Sequence, residues 1–228
     1  MQSMFRPLPT AQELAPVAEN RLDSRRKVEL ALNIWQQCQA AVGSPAETYL
    51  HSRGLRLHPD MSVRFHPACP RGKAERLPAM VALMTDAVTC EPCGIHRTYL
   101  KPDGSGKAEI EPAKMMLGRA TGAVVRLSPD DAVTTGLGIV EGIENGLSIL
   151  SFGWAPVWAA LSANGIRDFP VLNGVEALTI FADHDDAGLK AARACAARWA
   201  GAGKEVIVRK PAKAGADWND VAREVQNG

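Results

Sequence analysis

The chain has 228 residues, 46% of them hydrophobic and 22% charged, with a formal net charge of +1. That balance suits a soluble globular protein able to bury a full core, as one domain or two joined ones, and excludes disordered, collagenous and mucin-like chains. No apolar run approaches the roughly 20 residues of a membrane span, and Met1-Gln2-Ser3-Met4-Phe5-Arg6-Pro7 lacks the charged-then-apolar order of a secretory signal, so a cytoplasmic location is expected.

Met1 to Asn20 is rich in Pro and Ala with weak periodicity and is expected to be loosely held. From Arg21 to Val42 apolar residues return at helical spacing (Val28, Leu30, Ala31, Leu32, Ile34, Trp35, Cys38, Val42) ahead of Gly43, which predicts an amphipathic helix. Ser44-Pro45-Ala46-Glu47 then reads as a second helix start. Ser44 offers a capping hydroxyl, Pro45 takes the first helical position, and Glu47 stands three residues after the cap. Gly54 is the expected stop.

Between Leu57 and Leu127 the pattern shifts to short β-like runs: Val63–Phe65, Ala79–Met84, Gly94–Leu100 and Gly122–Leu127, separated by turn signals such as Pro102-Asp103-Gly104-Ser105-Gly106. A small, mostly antiparallel α+β subdomain is expected there. The five cysteines (Cys38, Cys69, Cys90, Cys93, Cys195) are odd in number and scattered, which argues against a disulfide framework. Cys90-Glu91-Pro92-Cys93 has metal-like spacing, with Cys69, His66 and His96 nearby in sequence, but a structural zinc site takes four ligands. A turn between two strands is the simpler reading, and zinc stays open.

After Pro129 buried strands alternate with helices. Strands are predicted at Gly138–Val140, Val157–Ala160, Ala177–Ala182 and Glu205–Val208, with helices at Ile143–Phe152 and Ala187–Ala202. Apolar strands joined by helical crossovers indicate a parallel sheet covered on both faces. Ligands bind such sheets beyond the carboxyl ends of the strands, and acidic residues are what follow those ends here. Charge divides the same way. His51 to Arg126 holds 12 Lys and Arg against 7 Asp and Glu, whereas Asp130 to Gly228 holds 9 against 13. A basic half can hold phosphates while an acidic half gathers divalent cations, as an enzyme acting on polyanions requires.

The first of these strands runs into Glu141-Gly142-Ile143-Glu144, where Gly142 is expected to permit a tight turn. The third runs into Asp183-His184-Asp185-Asp186-Ala187-Gly188. Residues two apart in an extended segment point the same way, so Asp183 and Asp185 can present carboxylates together; equally, Asp185 or Asp186 can cap the following helix. After the last strand come Asp217 and Asp220. Hard oxygen ligands of this kind suit Mg²⁺.

Ile139-Val140-Glu141-Gly142 and Phe181-Ala182-Asp183-His184-Asp185-Asp186-Ala187-Gly188 resemble the glutamate and paired-aspartate motifs of the Toprim domain, over Gly136 to Asp220. The resemblance implies that Glu141 acts as general acid or base or helps hold metal, and that Asp183 and Asp185 bind Mg²⁺ or Mn²⁺. Gly142, Glu144, Asp186, Gly188, Asp217 and Asp220 would support them. Many primases carry an aspartate four residues after the glutamate where this chain has Asn145; either Glu144 substitutes or the metal shell is thinner.

Ahead of that segment, Ala46-Glu47-Thr48-Tyr49-Leu50-His51-Ser52-Arg53-Gly54-Leu55 resembles the helix preceding primase cores, especially those of phages and plasmids. Gly94–Leu100 and Pro112–Gly118 resemble the basic strand and Pro-x-Lys segment of the same core. The likeness implies that Arg97, Lys107 and Lys114 face the metal site and hold nucleoside triphosphate or template phosphates. It divides the chain into an N-terminal extension and helix (1–45), a basic primase-core-like subdomain (46–130) and a Toprim domain (131–228). The implied activity is primase-like primer synthesis on single-stranded DNA in a mobile-element setting. Without a visible zinc ribbon or helicase-binding tail, a minimal core working with a helicase or other replication protein is expected. A metal-dependent nuclease and a non-catalytic DNA-binding adaptor are the alternatives, while a topoisomerase is disfavoured because only Tyr49 and Tyr99 could be its nucleophile.

Overall fold

The computed structural model of the chain describes residues 11–58 and 61–227. Met1 to Thr10, the first half of the segment expected to be loose, lies outside them. The second half does not match that expectation, because helix α1 (Ala11–Gln36) already begins at Ala11. It also ends before Val42. The Gln37 and Cys38 amides bond back to the Ile34 and Trp35 carbonyls, each at 3.1 Å, and Gln39–Ala40 (β1) leaves to pair with Phe65 and Arg64. The apolar spacing at Cys38 and Val42 was therefore not helical, and Val42 is 66% exposed.

Helix α2 (Pro45–Ser52) starts and stops as its residues dictate. Ser44 Oγ accepts from the Ala46 amide at 3.2 Å, and the Glu47 carboxylate reaches back to the Gly43 amide at 2.8 Å. At the other end Gly54 takes φ +72, which lets the Leu55 amide return to the Leu50 carbonyl at 2.9 Å. The helix buries Ala46, Tyr49 and Leu50. Leu50, fully enclosed, contributes roughly 1.5–3 kcal/mol of transfer free energy.

Strands β2 (Val63–Arg71), β3 (Glu75–Asp86), β4 (Pro92–Tyr99) and β5 (Lys114–Gly118) pair antiparallel. Cys90 and Cys93 occupy the β3–β4 hairpin, the turn reading. The Asp86 carboxylate closes it by accepting from the Val88 and Thr89 amides, each at 2.8 Å. Cys93 is buried in the core while Cys90 is exposed with φ +63. After β6 (Ala123–Arg126) follow β7 (Gly136–Val140), α3 (Ile143–Ser151), β8 (Val157–Ala159), α4 (Ala163–Arg167), β9 (Ala177–Phe181), α5 (Asp186–Gly201), β10 (Glu205–Arg209) and α6 (Trp218–Asn227). Strand β5 and helices α4 and α6 were not among the expected elements, although Trp218, Val221, Ala222 and Val225 of α6 do recur at helical spacing.

β6 joins the two halves. It pairs antiparallel with β3 through Thr85↔Val124 and with β8 through Val125↔Ala159, so one sheet runs in the order β1-β2-β3-β6-β8-β7-β9-β10, with β4 and β5 branching from β3. Pairing among β8, β7, β9 and β10 is parallel. One sheet face carries a single core from Phe65 and Met80 to Val140 and Phe181, covered by Tyr49 and Leu50 of α2, Ile143 and Leu147 of α3, and Trp218 of α6. The other face is split between Ala31 and Ile34 of α1 over the antiparallel half and Ala192 and Trp199 of α5 over the parallel half. Strands β7, β8 and β9 are buried as expected, but β10 is an exposed edge, with Ile207 and Val208 at 40% and 42%. Among the described residues no helix is long and apolar enough to cross a membrane.

Candidate active site

Val140 and Phe181 are register partners, so Glu141 and Asp183 emerge side by side from the carboxyl ends of β7 and β9. The Glu141 carboxylate is largely enclosed and accepts from the Ala163 amide at the start of α4. Burial and then the Asp185 charge raise its pKa. Asp183 is pushed further, to about 7, by burial and by the charges of Glu141, Asp217 and Asp185, with Lys114 opposing. Asn145 Nδ2 donates to Asp183 Oδ1 at 2.8 Å, while Asn145 Oδ1 accepts from the Asn219 amide at 3.2 Å. An aspartate at 145 would add a charge and supply no donor, so the departure from the primase pattern fastens Asp183 to α3 and α6.

Asp185 is both a cap and a member of the cluster. Its Oδ1 accepts from the Gly188 amide at 2.7 Å and caps α5, yet its charge still raises both neighbouring carboxylates. Asp186 is exposed in the first turn of the helix. Gly188 is needed for closeness: a Cβ there would sit 2.8 Å from the Asp183 carbonyl oxygen. Gly142, by contrast, has φ −102 and ordinary space around it, so the expected glycine-dependent turn is not made. Asp217 and Asp220 cap α6 reciprocally, the Asp220 amide bonding Asp217 Oδ1 at 2.8 Å and the Asp217 amide bonding Asp220 Oδ2 at 3.2 Å. Of the two, only Asp217 bears on Asp183.

Glu144 does not replace the missing aspartate. Its buried carboxylate is held at 2.8 Å by Lys114 Nζ and at 2.8 Å by the Tyr49 hydroxyl. Burial alone would raise its pKa, but the Lys114 charge and these hydrogen bonds pull it down to about 2. Lys114 thus stands where the basic subdomain meets the acidic rim, near enough to act on both Glu141 and Asp183. Lys107 stands with it, its pKa lowered by burial and by Lys114, with Arg53 and Asp217 also acting on it.

Arg97 is not brought to this site, because β alternation places it on the other face. His96 and Thr98 pair with Ala82 and Met80 on the side that packs Tyr49, whereas Arg97 and Tyr99 face α1. The Arg97 guanidinium donates to the Pro70 carbonyl at 2.8 Å and lies 5.7 Å from the Tyr99 ring. His96 takes the inner position instead. Burial, then the Lys114 charge, lowers its pKa to about 4, so the imidazole is neutral at ordinary pH. Its Nδ1 and the Thr98 hydroxyl are buried without a hydrogen-bond partner among the described residues.

The donor chemistry fits a hard divalent cation. Glu141 and Asp183, both with raised pKa, make no ion pair among the described residues, and Mg²⁺ commonly takes one or two carboxylates, several waters and substrate phosphates rather than a protein cage. Among the described residues, no three His, Cys, Asp or Glu side chains stand close enough to hold one ion. The expected three-carboxylate convergence is therefore looser than a closed site: the acids share a rim and an electrostatic field.

Residues 136–227 match the family described as Toprim domain. The second half of the chain is a Toprim domain. Residues 25–127 match a domain of unknown function (DUF7146), and no curated protein matches the chain. Solved structures share the architecture of the Toprim domain and the subdomain before it. A DNA primase domain from Pseudomonas aeruginosa is 16% identical at a TM-score of 0.59, covering 86% of this chain and 74% of that one. The zinc-binding and RNA polymerase domains of the Aquifex aeolicus primase give 17% identity and 0.61, covering 95% and 65%. The DnaG primase catalytic domain bound to ssDNA gives 18% and 0.57, covering 91% and 78%. The fold is that of bacterial primase cores.

Of the residues that matter at this site, sequence reasoning missed the roles of Tyr49, His96, Asn145 and Asn219. Asn219 is fully buried, its Nδ2 bonding the Arg53 carbonyl at 3.3 Å and Ser148 Oγ at 3.2 Å. A buried asparagine beside a capping aspartate carries no periodic signature. Asn145 could have been read from its position, since an amide can donate to Asp183 where a carboxylate cannot.

Proposed function

We propose that the chain is a primase-like nucleotidyltransferase that joins nucleoside triphosphates on single-stranded DNA with Mg²⁺ or Mn²⁺. The observation that carries this reading is the rim itself: Asp183, lifted to about 7 among Glu141, Asp185 and Asp217, faces Lys114 from the basic subdomain. The metal would be held by Asp183 with Glu141 or Asp185, and when bound it supplies charge neutralisation at phosphorus and the leaving pyrophosphate. Glu141, whose raised pKa makes it a better proton acceptor than an ordinary carboxylate, would take the proton of the attacking 3′-hydroxyl. Lys114 keeps donors beyond the one engaged by Glu144, and with Lys107 it would hold phosphate oxygens on the basic side. Likeness to an ssDNA-bound primase domain supports the choice of template.

The test is primer synthesis by the purified chain on single-stranded DNA with nucleoside triphosphates and either metal. Oligonucleotide product is expected, and it should vanish in Asp183→Asn and Glu141→Gln. No product under conditions where an established primase makes one would overturn the reading. Template cleavage without nucleotides, lost in Glu141→Gln, would assign the same rim to a nuclease.

A further inference from the structure

The sheet ends at β10, and among the described residues this strand pairs only with β9. Its outer edge can be read from two hydrogen bonds. The Glu205 amide donates to the Glu176 carbonyl at 2.9 Å, and the Arg209 carbonyl accepts from the Ala182 amide at 2.9 Å. Backbone groups alternate along a strand, so Glu205, Ile207 and Arg209 turn theirs toward β9. The N–H and C=O of Val206 and Val208 point outward. Exposed edges of this kind are templates for another strand, and proteins commonly guard them with charge, proline or a covering element. Here the strand interior is Val-Ile-Val, with Ile207 40% and Val208 42% exposed, and the charges stand only at its ends.

Those ends are opposite in sign, and that decides the occupant. We propose that β10 pairs antiparallel with β10 of a second copy of this chain about a twofold axis at Ile207. In that register Ile207 faces Ile207, Val206 faces Val208, and Glu205 faces Arg209 of the other copy at both ends. Val206 and Val208 form the hydrogen-bonded pairs, since each holds outward N–H and C=O groups, and Ile207 forms the non-hydrogen-bonded pair, as antiparallel geometry requires. The contact is self-complementary, the property an isologous dimer needs. Glu205 makes no ion pair within the described residues, so its carboxylate is available to the other copy. Arg209 already rests against Trp154, its guanidinium carbon 5.5 Å from the ring centroid, which holds the cation on the side of the sheet shared with Ile207. A partner offering a strand of uniform charge, or none, would leave one of these ends unmatched.

Charge reversal across the two ends provides the test. Glu205→Arg alone places arginines opposite each other at both ends of the homodimer, and Arg209→Glu alone does the same with glutamates. Sedimentation velocity over a range of concentrations should show the wild-type chain self-associating and each variant associating on the order of tenfold more weakly. An equimolar mixture of the two variants should recover wild-type association, because every end then carries one charge of each sign. Hydrogen exchange on the unmutated chain gives a second readout: the Val206 and Val208 amides should become protected as concentration rises, while the Ile207 amide, bonded to β9, stays protected throughout. A wild-type chain that remains monomeric, a mixture no more associated than its separate components, or Val206 and Val208 exchange independent of concentration would each overturn the proposal. None of these measurements depends on catalysis.

Discussion

Asp183 and Glu144 are both enclosed carboxylates at the junction of the two halves, yet their environments drive them apart. Glu144 is pulled to about 2 because Lys114 and Tyr49 supply a cation and a hydroxyl donor at 2.8 Å each. Asp183 is pushed to about 7 because burial is joined by three like charges, and the Asn145 amide that bonds it carries no compensating charge. Burial raises both; the sign of the neighbouring charge separates them. Glu144 is complete within the chain and works as a fastening between α2, α3 and β5. Asp183 sits instead among like charges, which a divalent cation would offset under the proposed function.

The largest test of this contrast is activity. Asp183→Asn removes the carboxylate and is expected to lower primer synthesis by roughly a hundredfold or more, the scale of several kcal/mol of lost metal-assisted stabilisation. Glu144→Gln should retain much more of the activity of whatever fraction folds, measured per folded molecule. Equal losses in the two variants, with folding intact, would break the distinction.

Stability should show the reverse. Glu144→Gln leaves Lys114 without its ion-pair partner, and removing one member of a buried pair costs about 3–5 kcal/mol. Lys114 is 36% exposed, so water screens part of that, and about 2–3 kcal/mol is expected by chemical denaturation. Asp183→Asn should leave stability unchanged or raise it. Tyr49→Phe isolates the hydroxyl: it keeps the ring packed in the core and deletes one bond to a charged acceptor, for an expected loss of about 1.5–3 kcal/mol. A loss as large as that of Tyr49→Ala would mean that packing, not the hydrogen bond, is what Tyr49 contributes.

These pairs also show what the sequence can and cannot disclose. Glu141 and Asp183 were legible because each follows an apolar strand in a parallel sheet, where topology alone sends the chain to the carboxyl rim. The boundaries of α2, α3, α5, β7 and β9 were legible for the same kind of reason, local periodicity and capping. Arg97 was placed on the wrong side because face depends on the register of β4 against β3, and a basic residue in a strand gives no hint of which side is buried under which helix. Glu144 was misread because its partners, Tyr49 and Lys114, are distant in sequence and meet it only after β6 has joined the two halves. Val42 shows the opposite error, in which apolar spacing imitates a helix while the chain has already turned into β1.

The last test concerns pH, where the sign carries the information. Asp183 has a folded pKa near 7, above its ordinary 3.8, so the folded state holds this proton more tightly than the unfolded chain. The resulting stabilisation is greatest while the proton is bound, and it is lost progressively as pH rises from the ordinary carboxylate range through about 7. Glu144 behaves oppositely: its contribution is present above its ordinary 4.5 and disappears as pH falls toward 2. Thermal melts without divalent ions should therefore show a decline in Tm between about pH 4 and 7 that levels off above it and that Asp183→Asn flattens. Each kcal/mol corresponds to about 2–4 °C in a chain of this size. Adding Mg²⁺ or Mn²⁺ should recover part of that decline, and more of it above pH 7 than below, because the cation competes with the proton for the same oxygens. A metal-induced shift of equal size on both sides of neutrality, or one that survives Asp183→Asn, would place the ion somewhere other than on Asp183.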